Sequence, residues 1–155
     1  LAALEASGHL LGVITQNIDG LHQAAGSKNV LELHGSVHRN YCTVCDRFFS
    51  LDYILETQGV PRCECGGVVK PDVVLYEEPL NPETVDSAIE LIKKADVLIV
   101  GGTSLNVYPA AGMIDVFNGN HLVLINKTQT SADDRASIVI HRPIGEVLGE
   151  VMNIK

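Results

Sequence analysis

Short runs almost free of polar side chains recur along the chain, and each closes on a polar or glycine-rich tip. Residues 11–15 run into Gln16-Asn17, 97–100 into Gly101-Gly102-Thr103-Ser104, and 122–125 into Asn126. A strand with one wet face alternates apolar and polar side chains, so uninterrupted runs of this length suit a parallel sheet covered on both faces. Helical patterns lie between them. Residues 21–25 stop at Gly26, and Asn81 caps a helix with Pro82 at its first position and Val85, Ala88, Ile89, Leu91 and Ile92 on one face. Strands over 30–33, 73–76 and 137–140, a helix over 110–117 and a terminal helix over 144–152 complete the expected series. Strands alternating with helices describe an α/β chain with a doubly wound parallel sheet of the nucleotide-binding type.

The 155 residues suffice for one domain with at most a small inserted module. A content of 46% hydrophobic and 19% charged residues, with a mean hydropathy of +0.18, excludes intrinsic disorder. The balance of 11 Lys+Arg against 19 Asp+Glu gives a net charge of −8. Such a charge argues against a nucleic-acid partner, because gripping a phosphate backbone takes clustered positive charge. The uncharged apolar stretches fall far short of the ~20 residues that span a bilayer, so no membrane partner is expected. Residues 1–8 carry no initiator Met, basic region or cleavage pattern and read as the last turns of an amphipathic helix closed by Gly8. The chain is therefore expected to be a piece whose N-terminus lies upstream, and to reside in the cytoplasm.

Between 41 and 69 the chemistry changes. Cys42-Thr43-Val44-Cys45 and Cys63-Glu64-Cys65 are two close pairs, and Gly66-Gly67 follow the second. Tetrahedral Zn²⁺ takes four soft ligands from two tight turns, and four thiolates close its shell against water, which makes the expected metal structural. The second pair is one residue shorter than the usual spacing, so its turn must be tighter. Two disulfides or four free thiols are the alternative; disulfides fit poorly with a chain that shows no secretory signal. The segment reads as an insertion: 41–69 is a zinc-binding module with a short helix at Leu51–Glu56, and 1–40 and 70–155 are parts of the α/β domain.

Gly101-Gly102-Thr103-Ser104 stands where a phosphate or ribose meets backbone N–H groups at the carboxyl edge of a parallel sheet, and Asn126-Lys127 ends the next strand at that edge. His34-Gly35 and Gln16-Asn17-Ile18-Asp19 end two further strands. A histidine there is suited to act as base toward a sugar hydroxyl; a capping His and an Asx-turn are the plainer alternative. His9, His38, His121 and His141 read as surface or strand-end residues, and His22 as structural.

Thr15-Gln16-Asn17-Ile18-Asp19-Gly20-Leu21-His22, Glu32-Leu33-His34-Gly35-Ser36, the cysteine pairs, Lys70-Pro71-Asp72-Val73-Val74-Leu75-Tyr76-Glu77-Glu78, and Gly102-Thr103-Ser104-Leu105 with Val107 and Pro109 together resemble the sirtuin family. Order and spacing match over practically the whole chain. The resemblance implies a Rossmann-like domain carrying a zinc module. It also implies NAD-dependent removal of acetyl or other acyl groups from protein lysines, giving nicotinamide and O-acyl-ADP-ribose. By that resemblance His34 is the base that activates the ribose hydroxyl, Gln16 contacts that ribose, and Asn17, Ile18 and Asp19 line the nicotinamide pocket. Gly102, Thr103, Ser104, Asn126 and Lys127 correspond to positions around the adenosine half and its phosphates. Val74, Tyr76, Glu77 and Glu78 match the segment that pairs with an acylated-lysine peptide, with Asn106 and Val107 on its other side.

Two departures from the family pattern stand out. Glu77 occupies a position where the family usually has Gly, which adds a charge facing the peptide and favours basic sequences around the target lysine. The family's glycine-rich signature over the pyrophosphate has no counterpart in these residues; it would lie before Leu1, and the 155 residues alone are expected to bind NAD poorly and to be inactive. Mono-ADP-ribosyl transfer, and a non-catalytic zinc-stabilised binding module, are the rival functions.

Overall fold

Backbone pairing sorts the strands into three sheets, two parallel and one antiparallel. The computed structural model describes residues 1–152, and the chain divides into two compact units, Leu1–Ser87 and the part from Ala88 on.

The first unit opens with helix α1 (Ala2–Ala6), strand β1 (Val13–Thr15), helix α2 (Leu21–Ala24) and strand β2 (Val30–Glu32). Strands β1 and β2 pair in parallel, with Thr15 opposite Glu32. The expected strand over 30–33 thus stops one residue early. Strand β3 (Gly35–Cys42) then runs antiparallel between β4 (Phe48–Ser50) and β5 (Val69–Val73), with helix α3 (Leu51–Glu56) following β4. This second sheet was hidden in the sequence because the inward residues of β3 are Ser36, Asn40 and Cys42, each no more than 2% exposed. A bulge between Ser36 and Asn40 shifts the register as well. The buried Asn40 amide is satisfied by donating to the Val37 carbonyl at 3.1 Å.

The expected strand over 73–76 is a correction: β5 covers Val69–Val73, and the ladder ends with the Val74 N–H on the His34 carbonyl at 3.0 Å. A turn removes the rest. The Leu75 N–H bonds the Glu78 carboxylate at 2.9 Å, the Glu78 N–H returns to the Leu75 carbonyl, and Glu77 takes a φ of 71°. Helix α4 (Pro82–Lys94) crosses the division between the units. Asn81 Oδ1 accepts the Thr84 N–H at 3.0 Å as its cap, and Lys93 and Lys94 complement the dipole at its far end.

The second unit holds β6 (Val97–Gly101), β7 (His121–Ile125) and β8 (Ile138–Ile140), all parallel and adjacent in chain order, with helix α5 (Ile144–Val151) after them. Leu98, Val100, Leu122 and Leu124 pack on Leu105, Ala111, Ile114 and Ala132 as its core. The other face is covered unevenly: Ile125 is buried there and Ile144 of α5 packs against Gly101, while Val97, Ile99 and Ile138 are about half exposed. Their apolar character conceals the difference between the faces. The helix expected over 110–117 is a 3₁₀ segment, Ala110–Val116, in which Gly112 and two β-branched residues disfavour a regular α-helix. The terminal helix ends at Val151 and Met152 is its cap.

Candidate functional site

The two cysteine pairs meet at one point. The Asp46 N–H bonds the Cys42 carbonyl at 3.0 Å to close the first turn, and the Cys63 N–H bonds the Gly67 carbonyl at 2.8 Å to close the shorter second one. A Cβ on Gly67 would lie 2.6 Å from Cys42 Sγ, so glycine is what lets the turns approach. Sulfur separations are 3.4 Å for Cys42–Cys65 and Cys45–Cys65 and 3.6 Å for Cys45–Cys63. All four sulfurs lie within 4.8 Å of one another. A disulfide needs about 2.05 Å, and the four cysteines are free. Zn–S bonds of about 2.3 Å in a tetrahedron put sulfurs about 3.8 Å apart, so the cluster fits a structural zinc ion. Cys42, Cys63 and Val69 form the small core beneath it, with Phe49, Tyr53 and Ile54 packed alongside.

The thiols are electrostatically unequal without a cation. The Cys45 and Val44 N–H groups hold the Cys42 thiol down to about 6. The Arg47 N–H acts to lower Cys45, but hydrogen bonds with Cys65, Cys42 and Cys63 outweigh it and push Cys45 up to about 12. Four thiolates in this space require a positive ion.

His34 lies between the two sheets of the first unit. Its ring Nδ1 is 2.9 Å from the Gln16 carbonyl; a carbonyl only accepts, so Nδ1 carries a proton, and in the neutral ring Nε2 presents a lone pair. The Leu33 N–H on Thr15 and the Val74 N–H on His34 fix the backbone on either side. Gly35 has a φ of 76°, and a Cβ there would fall 1.8 Å from the Asp72 carbonyl oxygen. Residues 16–19 form a tight loop after β1. Thr15 Oγ1 accepts the Asn17 N–H at 3.1 Å, Asp19 Oδ1 accepts the Leu21 N–H at 3.1 Å, and the Val37 N–H holds the Ile18 carbonyl. The Asx-turn alternative for Asp19 is therefore present in the fold. Asn17 and Asp19 are exposed, Gln16 and Ile18 half-buried.

Sequence reasoning missed the supports around this loop. His38 Nε2 donates to the Asp19 carbonyl at 3.0 Å, although nothing in the spacing of His38 marks it. Arg39 pairs with Glu32 at 2.7 Å and Asp72 at 2.9 Å. Burial opposes the Arg39 charge, but the hydrogen bonds it donates to Glu32 and Asp72 outweigh that and raise its pKa above the ordinary value.

Of the residues expected to face a peptide, Tyr76 and Glu77 are exposed at the turn after β5. Glu78 is spent on that turn: the Leu75 N–H, with help from Lys70, holds its carboxyl below the usual range. In the second unit, the tips of β6 and β7 sit side by side. The Gly102 N–H is committed to the Ile125 carbonyl at 3.1 Å, which leaves any phosphate or ribose contact at this edge to Thr103, Ser104 and the Lys127 side chain. Asn126 turns its amide to the Thr128 carbonyl at 3.0 Å, and His141 contacts its carbonyl at 3.3 Å. Asn106 and Val107 are exposed beyond this tip.

Among the described residues no helix is long and apolar enough to cross a membrane. Comparison with known proteins bears on the whole pattern. The model of the Sir2 family matches residues 1–109. The NAD-dependent protein deacetylase of Clostridium perfringens is 61% identical over 99% of this chain and 64% of its own length. That of Clostridium tetani is 60% identical over 98% and 62%. The chain thus spans less than two thirds of the length of these curated relatives. A solved structure described as Sir2–p53 peptide–NAD+ superposes with a TM-score of 0.90 at 40% identity, over 98% of this chain and 66% of that one. Another, described as Sir2 bound to acetylated peptide, gives 0.89 at 38% identity, over 99% and 68%. With its model matched over more than half of the residues and its signature strings in these positions, the chain belongs to the Sir2 family.

Proposed function

We propose that this chain carries the base, the zinc module and part of the cofactor surface of an NAD-dependent protein-lysine deacylase. The observation that carries the reading is the His34 ring, whose Nδ1–H is spent on Gln16 so that Nε2 can take a proton beside the 16–19 loop. NAD, when bound, would supply the ribosyl carbon for the acyl oxygen and nicotinamide as the leaving group, and water would then free the lysine amine and leave O-acyl-ADP-ribose. Gln16, Asn17, Ile18 and Asp19 hold the nicotinamide end; Thr103, Ser104 and the Lys127 side chain contact the adenosine end, with Gly102 and Asn126 shaping the strand tips that present them. In the first unit Val74, Tyr76 and Glu77 face the acylated-lysine peptide, with Glu78 holding their turn; in the second unit Asn106 and Val107 are the peptide-facing residues. Cys42, Cys45, Cys63 and Cys65 hold a zinc ion whose role is to fold residues 41–69 between the flanking segments 1–40 and 70–155. We place the protein in the cytoplasm, where free thiols such as these persist.

The test is a chimera in which the remaining length comes from the Clostridium perfringens relative, given NAD and an acetyl-lysine peptide. Nicotinamide and O-acetyl-ADP-ribose released in equal amounts, by mass spectrometry, support the reading. Nicotinamide release with ADP-ribose retained on protein would assign transfer instead of deacylation.

A further inference from the structure

Beside His34 lies a charged cluster that the proposed chemistry does not use. Arg39 leaves β3 and reaches in two directions, Nη1 to Glu32 Oε2 at 2.7 Å and Nε to Asp72 Oδ2 at 2.9 Å. Glu32 ends β2 and Asp72 lies on β5, so a single guanidinium ties the parallel pair to the antiparallel sheet. The Glu32 side chain is only 8% exposed, and its other oxygen accepts Gln23 Nε2 at 2.8 Å. This anchors the far end of the tie to α2.

The tie spans Leu33 and His34, the two residues between β2 and β3, and Gly35 next to them takes the left-handed conformation. Exposed ion pairs add little stability. A planar fork bonded to two carboxylates, one of them buried, fixes direction more than it adds energy. What it fixes here is the angle at which β2 gives way to β3, and His34 is the side chain carried on that bend.

We propose that Arg39, held by Glu32 and Asp72, is a positioning residue for His34: it sets the angle between the two sheets and thereby keeps Nδ1 on the Gln16 carbonyl. Its catalytic consequence rests on the reading of His34 as the base. Without the tie, the bend relaxes at Gly35, the Nδ1 bond loosens, and Nε2 no longer faces a fixed point. Misplacement of a reacting group by about 1 Å costs on the order of 100-fold in rate.

The experiment has two readouts. In the chain labelled with ¹⁵N-histidine, at a pH where the ring is neutral, long-range ¹H–¹⁵N correlation reports the His34 tautomer. The parent shows the proton on Nδ1; Arg39→Ala loses that tautomer as the dominant form. In the chimera, Arg39→Ala lowers kcat about 10- to 100-fold while KM for NAD and peptide stays within about twofold. Arg39→Lys, which keeps the charge without the fork, falls between. Should Arg39→Ala fail to fold, Arg39→Lys and Glu32→Gln, both near-isosteric, give the same two readouts. Folded variants that keep the parental tautomer and kcat overturn the proposal. If His34→Ala retains turnover, the base reading fails on its own, and the tautomer still decides whether Arg39 positions the ring.

Discussion

Replacing Gly35 by alanine separates two costs that the backbone around His34 combines. At a φ of 76° any L-residue pays roughly 1–2 kcal/mol for the left-handed conformation. The new Cβ would also fall 1.8 Å from the Asp72 carbonyl oxygen and 2.8 Å from its carbon, both main-chain atoms that cannot rotate away. Relief requires β3 and β5 to part where Gly35 faces Val73 and Ser36 faces Asp72, and the Val74 N–H leaves the His34 carbonyl with them. Two or three hydrogen bonds at about 1 kcal/mol each bring the total to about 3–5 kcal/mol. Gly59 is the control. Its φ is 83° and nothing lies within 4 Å of its ideal Cβ, so Gly59→Ala carries the conformational cost alone. In urea, with a slope of about 2 kcal/mol per molar, the midpoint for the first unit should drop by about 1.5–2.5 M for Gly35→Ala and by 1 M or less, roughly, for Gly59→Ala. Hydrogen exchange at the Val74 amide should accelerate in the first variant only. Equal losses in the two variants would refute the claim that close backbone approach governs this position.

The purified chain should contain one equivalent of zinc, and Cys45→Ala should lose the metal and unfold residues 41–69; metal-free protein with two disulfides by mass would exclude the zinc assignment. In the chimera, His34→Ala should abolish acyl-lysine turnover with NAD binding kept within a few fold. Asp19→Asn retains the Oδ1 that accepts the Leu21 N–H, so a loss of turnover and nicotinamide exchange there reports the charge and not the turn. The Asn29 and Lys28 N–H groups, at 2.7 and 3.0 Å, hold the Glu5 carboxyl below its ordinary value of 4.5. A depressed folded value stabilises above the unfolded one, so Glu5→Gln should lower the melting temperature at neutral pH, and the difference should vanish as the pH falls through the lowered value. A gap that persists in acid would show that the carboxylate charge is not what anchors Lys28 and Asn29.

The second unit was legible because its strands are short apolar runs with distinctive tips, and α4 because Asn81-Pro82 marks its start unambiguously. The cysteine cluster was legible for the same kind of reason, since metal chemistry dictates spacing. What stayed hidden depends on pairing between distant positions. β3 buries Ser36 and Asn40 where a pattern of apolar alternation would be sought, and of its strand neighbours one lies inside the cysteine insertion and the other begins at its end. The early end of β5 depends on one carboxylate, Glu78, reaching back to Leu75. At the candidate site, the identity of His34 could be read from its string but its proton could not, because the tautomer is set by a carbonyl 18 residues away. Arg39 gave no signal at all: its partners lie at positions 32 and 72, and only the sheets bring them together.

The two cysteine pairs come together, while the stretch after α3 reaches outward, with Val60 largely exposed and Gly59 in open space. None of the residues from 46 to 62 supplies a sulfur to the cluster. Lengthening such an outward stretch costs only about 0.6 kcal/mol for each doubling of its span. The size of this protrusion is accordingly uncoupled from the coordination that folds it. Natural lineages are free to lengthen or shorten it as a surface for their own contacts, and an engineer can graft a tag or a recognition loop there while the sulfurs keep their places.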